Sequence, residues 1–75
     1  MHYDIDYSNL TPNDKYNKAI EDVKDYLGDK RYNTLVNNLR DSPQPTRGAF
    51  HLMMSFAGIQ YYPVDALYQE IWPYG

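Results

Sequence analysis

The stretch TRGAFHLMMSFAG, residues 46–58, decides the fold that we predict for this chain of 75 residues. Thr46 can cap a helix over residues 47–57, and Gly58 can end it, because glycine tolerates the left-handed backbone past a helix terminus. Only two of the last nine residues of this helix are polar. A helix that is apolar nearly all round is usually buried. We therefore expect this helix to lie at the centre of the fold.

Three further segments repeat apolar residues at intervals of three and four, which is the spacing of one helix face. Proline or aspartate opens each segment, and glycine or proline follows its end, except where the second runs into the SPQP connection. Asp29 is the expected cap of the second helix. These patterns predict an all-α fold, a compact bundle of four short helices in one small domain over 1–75, with helices at about 12–27, 30–41, 47–57 and 63–72.

The first ten residues follow a different pattern. Tyr3, Ile5 and Tyr7 alternate with polar residues, which is the period of a strand. A single strand has nothing in this chain to pair with. We predict an extended N-terminal arm over residues 1–10 that packs against the helices; the alternative is an edge strand that pairs with another molecule.

Composition excludes several classes of protein. The chain has no cysteine, so it has no disulfide and no thiolate metal site. It has no apolar run of about 18 residues and no charged start followed by an apolar block, so we expect neither membrane spanning nor secretion and predict a cytoplasmic protein.

The net charge of −3 is unevenly distributed. Residues 1–29 carry seven acids against three bases, which gives −4, whereas residues 30–48 carry four bases against one acid, which gives +3. An acidic chain is not expected to bind nucleic acid directly. The acidic first third suits a basic partner, although a solvated helix face explains the same charges.

Residues suited to catalysis or metal binding are few. His51 and Ser55 can share a helix face, but the sequence shows no orienting acid beside them, so we predict no catalytic residue and no enzyme. Asp4 and Asp6 resemble the start of a calcium loop, but Lys15 stands where a bidentate glutamate is needed. We therefore predict no metal and no cofactor.

Residues 50–72 resemble a helix-turn-helix in outline, with Gly58 in the turn. The second helix of this segment would, however, present Asp65 and Glu70 to phosphates. A second candidate is an anion site at the start of the third helix, formed by Arg40, Arg47 and Gly48. Simple capping beside a solvated arginine accounts for the same residues.

Aromatic residues are the most unusual feature, because nine tyrosines and one tryptophan exceed what a small core encloses. Tyrosine and tryptophan dominate protein interfaces. We expect an exposed aromatic patch, although rings folded over a thin core are the alternative. The predicted protein-binding residues are Tyr3, Tyr7, Tyr61, Tyr62, Trp72 and Tyr74, with the acids Glu21, Asp22 and Asp25.

In size and composition the chain resembles the small accessory inhibitors encoded by phages and mobile elements. A small chain without catalytic residues can act by occlusion, so we expect a stoichiometric inhibitor or modulator that covers a working surface of a larger protein. A basic groove on a nucleic-acid-processing enzyme fits the acids best. The first alternative is a small DNA-binding regulator or antitoxin that uses the helix-turn-helix. The second is a subunit of a homo-oligomer, formed by self-association.

Overall fold

A computed structural model describes Tyr7 and residues 9–74 of the chain. It contains four helices: α1 (Pro12–Leu27), α2 (Asp29–Arg40), α3 (Arg47–Phe56) and α4 (Tyr62–Ile71). The all-α prediction is confirmed, and each helix begins and ends within one residue of its predicted bounds. No strand occurs among these described residues. Most of the predicted N-terminal arm lies outside them.

Local chemistry explains the helix ends. The Thr11 and Thr46 hydroxyls accept hydrogen bonds from backbone amides in the first turns of α1 and α3, as expected of caps. Asp29, however, is the first residue of α2 and does not cap it. Gly28 joins the two helices instead, with φ of 85°, and its amide closes α1 on the Lys24 carbonyl at 2.7 Å. A positive φ of this kind is easiest for glycine.

The fourth helix, not the third, lies at the centre, so the prediction of a central α3 is wrong. Among the described helices, α4 packs against the other three, whereas α3 packs against α4 alone. Both acids of α4 find partners on neighbouring helices, Asp65 on α3 and Glu70 on α1, which lets a helix with two carboxylates sit in the middle. Six of its ten residues are buried: Pro63, Val64, Ala66, Leu67, Tyr68 and Ile71.

The SPQP connection is docked onto α4 by a tyrosine. The Tyr68 hydroxyl donates to the Pro45 carbonyl at 2.6 Å and accepts from the Gln44 amide at 2.8 Å. The Tyr68 ring packs beside Phe50 and Trp72, with centroids 5.3 Å from each. These contacts hold the start of α3 against α4 and leave the opposite side of α3 uncovered.

Candidate functional site

The outer side of α3 carries a continuous row of apolar side chains. Ala49, Leu52, Met53 and Phe56 follow one another at the spacing of a single helix face, and all four are exposed. Leu52 is 62% exposed, Met53 43% and Phe56 85%. We call these four residues the α3 stripe. Contiguous exposed apolar surface of this kind marks interaction sites, whereas single exposed apolar residues are ordinary.

The inner side of the same helix anchors it. Phe50 is fully buried and Met54 is nearly so. The Phe50 ring stands edge-on to Trp72, with centroids 5.5 Å apart. Because this face is held by the core, the α3 stripe is held facing outward.

A groove opens beside the end of the α3 stripe. It has a volume of about 360 Å³ and lies between α2, the end of α1 and the residue that follows Phe56. Lys30 and Arg31 line it, and neither forms an ion pair with another described residue. We call it the α2 groove; its lining residues are Leu27, Lys30, Arg31, Thr34, Leu35, Asn38 and Ala57. An apolar floor with a cationic rim suits an aromatic or an acidic amphipathic occupant.

A polar cluster joins α3 to α4 on the other side of the helix. The Asp65 carboxylate lies 2.8 Å from Nε2 of His51 and 3.0 Å from Nη1 of Arg47. Burial alone would raise the pKa of Asp65, but the hydrogen bonds from His51 and Arg47 outweigh it and hold that pKa below its usual value. The Arg47 guanidinium also lies over the Tyr68 ring, 4.8 Å from its centroid. The cluster clamps the two helices together.

His51 and Ser55 do not bond to each other, although their spacing allows it. Ser55 donates to the Leu52 carbonyl at 2.7 Å, within its own helix, while His51 pairs with Asp65. Sequence reasoning missed Asp65 as the partner of His51 because the two residues are 14 positions apart and meet only through packing.

The predicted aromatic residues are divided between core and surface. Tyr61 and Tyr74 are exposed, whereas Tyr62 and Trp72 are half-buried. Tyr7 is buried, with its ring 5.6 Å from that of Tyr62. Tyr3 lies outside the described residues. Around the ends of α4, Tyr61 and Tyr74 are therefore exposed, whereas the Tyr7 ring packs beside Tyr62.

Polar partners explain why tyrosines go inside. The Tyr7 hydroxyl donates to Asp22 at 2.6 Å, and the Tyr16 hydroxyl donates to Glu70 at 2.5 Å. Burial and these hydrogen bonds raise the pKa of both hydroxyls above the usual tyrosine value, so each keeps its proton.

The predicted acids also differ from one another. Asp22 is half-buried between the Tyr7 hydroxyl and Lys18, so its charge is used within the fold. Glu21 and Asp25 are exposed on α1. The adjacent Tyr26 donates to the Ala57 carbonyl at 3.3 Å, which brings the end of α1 beside the end of the α3 stripe.

The predicted anion-site residues are not brought to one point by the contacts that hold them. Arg47 pairs with Asp65, and Arg40 donates to the Glu70 carbonyl at 3.4 Å, five residues further along α4. Gly48 is exposed in the first turn of α3, where the Ala49 amide is capped by Thr46. Arg47 therefore already has an internal counterion.

The helix-turn-helix segment places α4 where the core needs it. Val64 and Leu67 face inward and are fully buried. All ten residues of α4 are described, and Gln69 alone among them is exposed. A recognition helix must present one face to the groove of DNA, and this packing leaves α4 little surface to present.

No family model, curated protein or solved structure matches the chain. Across the described residues, no helix has both the length and the apolar character that a bilayer crossing requires. The same residues bring together no group of three or more histidine, cysteine or acidic side chains that could hold a metal ion.

The α3 stripe is the surface feature that sequence reasoning misread. Its spacing is visible in the sequence, but apolar residues on both sides of α3 predict burial on both sides, and only one side is buried. An apolar helix predicts only that its faces are covered by something. It does not say whether the cover is the chain's own core or another surface.

Proposed function

We propose that this chain is a protein-binding protein that acts by covering a working surface of a larger partner, and that the α3 stripe makes the central contact. The observation that carries the proposal is the 85% exposure of Phe56 in line with Leu52 and Met53 on a helix anchored from behind. An apolar row on a rigid helix is a common recognition element, because few side chains lose freedom when it docks.

The exposed acids of α1 favour a partner that is basic where it meets α1, whereas Lys30 and Arg31 at the α2 groove favour an acidic or aromatic group beside Phe56. Glu21 and Asp25 are exposed on α1, and Tyr26 links the end of that helix to the end of the α3 stripe. Acidic groups elsewhere on the same molecule attract a basic surface and set the orientation in which an apolar row docks. A nucleic-acid-processing enzyme, whose working groove is basic, is the partner class that we propose. Inhibition by occlusion, of the kind found among phage accessory proteins, is the proposed mode of action.

The alternative of a DNA-binding regulator draws less support. Its reading helix would be α4, whose acids pair with α1 and α3. The homo-oligomer alternative is supported by the α3 stripe itself, since an apolar row also suits a second copy.

Affinity capture with matched variants tests the proposal. The native chain, Phe56→Asp and Asn33→Asp are each used as bait in an extract of the native host. Asn33 is exposed on α2, so it makes the same charge change away from the α3 stripe. We expect a protein that the native and Asn33→Asp baits retain and Phe56→Asp loses.

Inhibition is then measured with the purified partner. Activity should fall in proportion to the chain added and reach its floor at equal molar amounts, with Phe56→Asp weaker by at least about tenfold. A retained protein that binds Phe56→Asp as well as the native chain would refute the role of the α3 stripe.

A further inference from the structure

We infer that the α3 stripe also pairs with a second copy of this chain, so that Phe56 of each copy enters the α2 groove of the other. The inference rests on the proposed role of the α3 stripe as a contact surface. It adds a regulation of that surface, because a dimer has its α3 stripe covered. The two copies must separate before either can bind another protein through this stripe.

The first argument is the charge of the surface. The four side chains of the α3 stripe are all uncharged, while Arg47 and His51 point to the opposite side of the helix, where they meet Asp65. A surface that carries charges of one sign repels the same surface on a second copy. The α3 stripe carries no such barrier, and the charges of the proposed contact are confined to Lys30 and Arg31 at the rim of the α2 groove.

The second argument is that the Phe56 side chain and the α2 groove lie next to each other. Phe56 is 85% exposed, and the next residue, Ala57, lines the α2 groove. A side chain and its receptor that lie next to each other on one face can engage reciprocally about a twofold axis. The contact then closes as a dimer and does not continue as a fibre.

The third argument is the chemistry of the groove. Its volume of about 360 Å³ has room for a phenyl ring, and Leu27 and Leu35 contribute apolar walls. Lys30 and Arg31 can lie over the face of an inserted ring, which is a favourable cation–π arrangement.

The available area makes this a weak dimer. The accessible surface of the chain is 4991 Å², and an interface that takes about a tenth of it would bury roughly 1,000 Å² in total over both copies, at the low end of specific complexes. We therefore expect a monomer at low concentration and a dimer at high concentration, exchanging rapidly.

Sedimentation velocity on the purified chain, from about 5 to about 500 µM, tests the inference without any other protein. The native chain should shift from monomer towards dimer across this series. Two variants test the two halves of the contact. Phe56→Asp removes the inserted ring, and Thr34→Trp fills the α2 groove from an exposed position. Each should raise the dissociation constant of the dimer by at least about tenfold. The control Asn33→Asp should change it by less than about twofold.

Other outcomes overturn the inference. A native chain that stays monomeric throughout the series excludes the second copy as occupant, and capture of another protein through Phe56 would then assign the α3 stripe to that partner alone. A dimer that Thr34→Trp leaves intact shows that Phe56 does not enter the groove. A melting temperature of monomeric Phe56→Asp well below that of the native monomer shows that the Phe56 ring is covered within a single copy.

Discussion

Two phenylalanines on α3 provide the sharpest test of how this helix is placed. Phe50 is fully buried and its ring contacts two others, whereas Phe56 is 85% exposed. Phe50→Ala removes a core ring, which costs about 3–5 kcal/mol. A domain of 75 residues is stable by only about 4–11 kcal/mol. The substitution should therefore remove a large part of the total stability and lower the melting temperature by about 10–40 °C.

Phe56→Ala is the matched control, because it deletes the same ring from the same helix. We expect its stability to stay within about 0.5 kcal/mol of the native chain, since the ring is in water and alanine is the better helix former. Urea unfolding followed by far-ultraviolet circular dichroism measures both variants, at about 1 µM so that self-association does not add to stability. Equal losses from the two variants, or a larger loss from Phe56→Ala, would refute the placement of α3.

Three further predictions follow from backbone and charge. Gly28→Ala should destabilise by about 1 kcal/mol because φ at that position is 85°, whereas Gly48→Ala should stabilise by about 0.5 kcal/mol, since a Cβ there meets no heavy atom within 4 Å; urea melts compare the two. Asp65→Asn should flatten the acid side of a curve of stability against pH. The hydrogen bonds from α3 outweigh burial and lower the pKa of Asp65, so its stabilisation is present above pH 3.8 and is lost as the pH falls through the lowered pKa. An unchanged acid side of the curve would contradict this. Tyr16→Phe should reduce the loss of stability in alkali. Burial and the hydrogen bond to Glu70 raise the pKa of Tyr16, so its stabilisation is full below pH 10.0 and is lost as the pH rises through the raised pKa. Thermal melts of both chains at a series of alkaline pH values test this prediction.

The sequence predicted the number and bounds of the helices because their signals are local, although it placed the cap of α2 on Asp29 in place of Gly28. Caps, prolines and the spacing of three and four act over a few residues, and they placed every helix within one residue. The order of packing is not local. Apolar residues on both sides of α3 indicated a large apolar surface, but the central place of α4 depends on contacts between residues that are far apart in the sequence, such as the packing of Tyr68 against Phe50.

The site was predicted less well than the fold. An excess of rings over core volume correctly indicated that some would be exposed, yet it could not say which. Tyr7 is buried and Tyr16 half-buried because carboxylates on neighbouring helices accept hydrogen bonds from their hydroxyls. Phe56 has no hydroxyl to place, and it stays outside because the inner face of α3 is already filled by Phe50 and Met54.

The same difference between expected and observed burial bears on the contact that we propose. Acids that seemed available to a partner, such as Asp22, are bonded within the fold, while apolar side chains that seemed to belong to the core stand in water. Replacing Leu52 or Phe56 by a polar residue would cost the folded monomer almost nothing, so the monomer's own stability does not explain their presence on one row. The contact that we propose would bury them. Binding should therefore be driven first by the burial of apolar surface, with a negative heat-capacity change, and the remaining charges of α1 should act on orientation and rate.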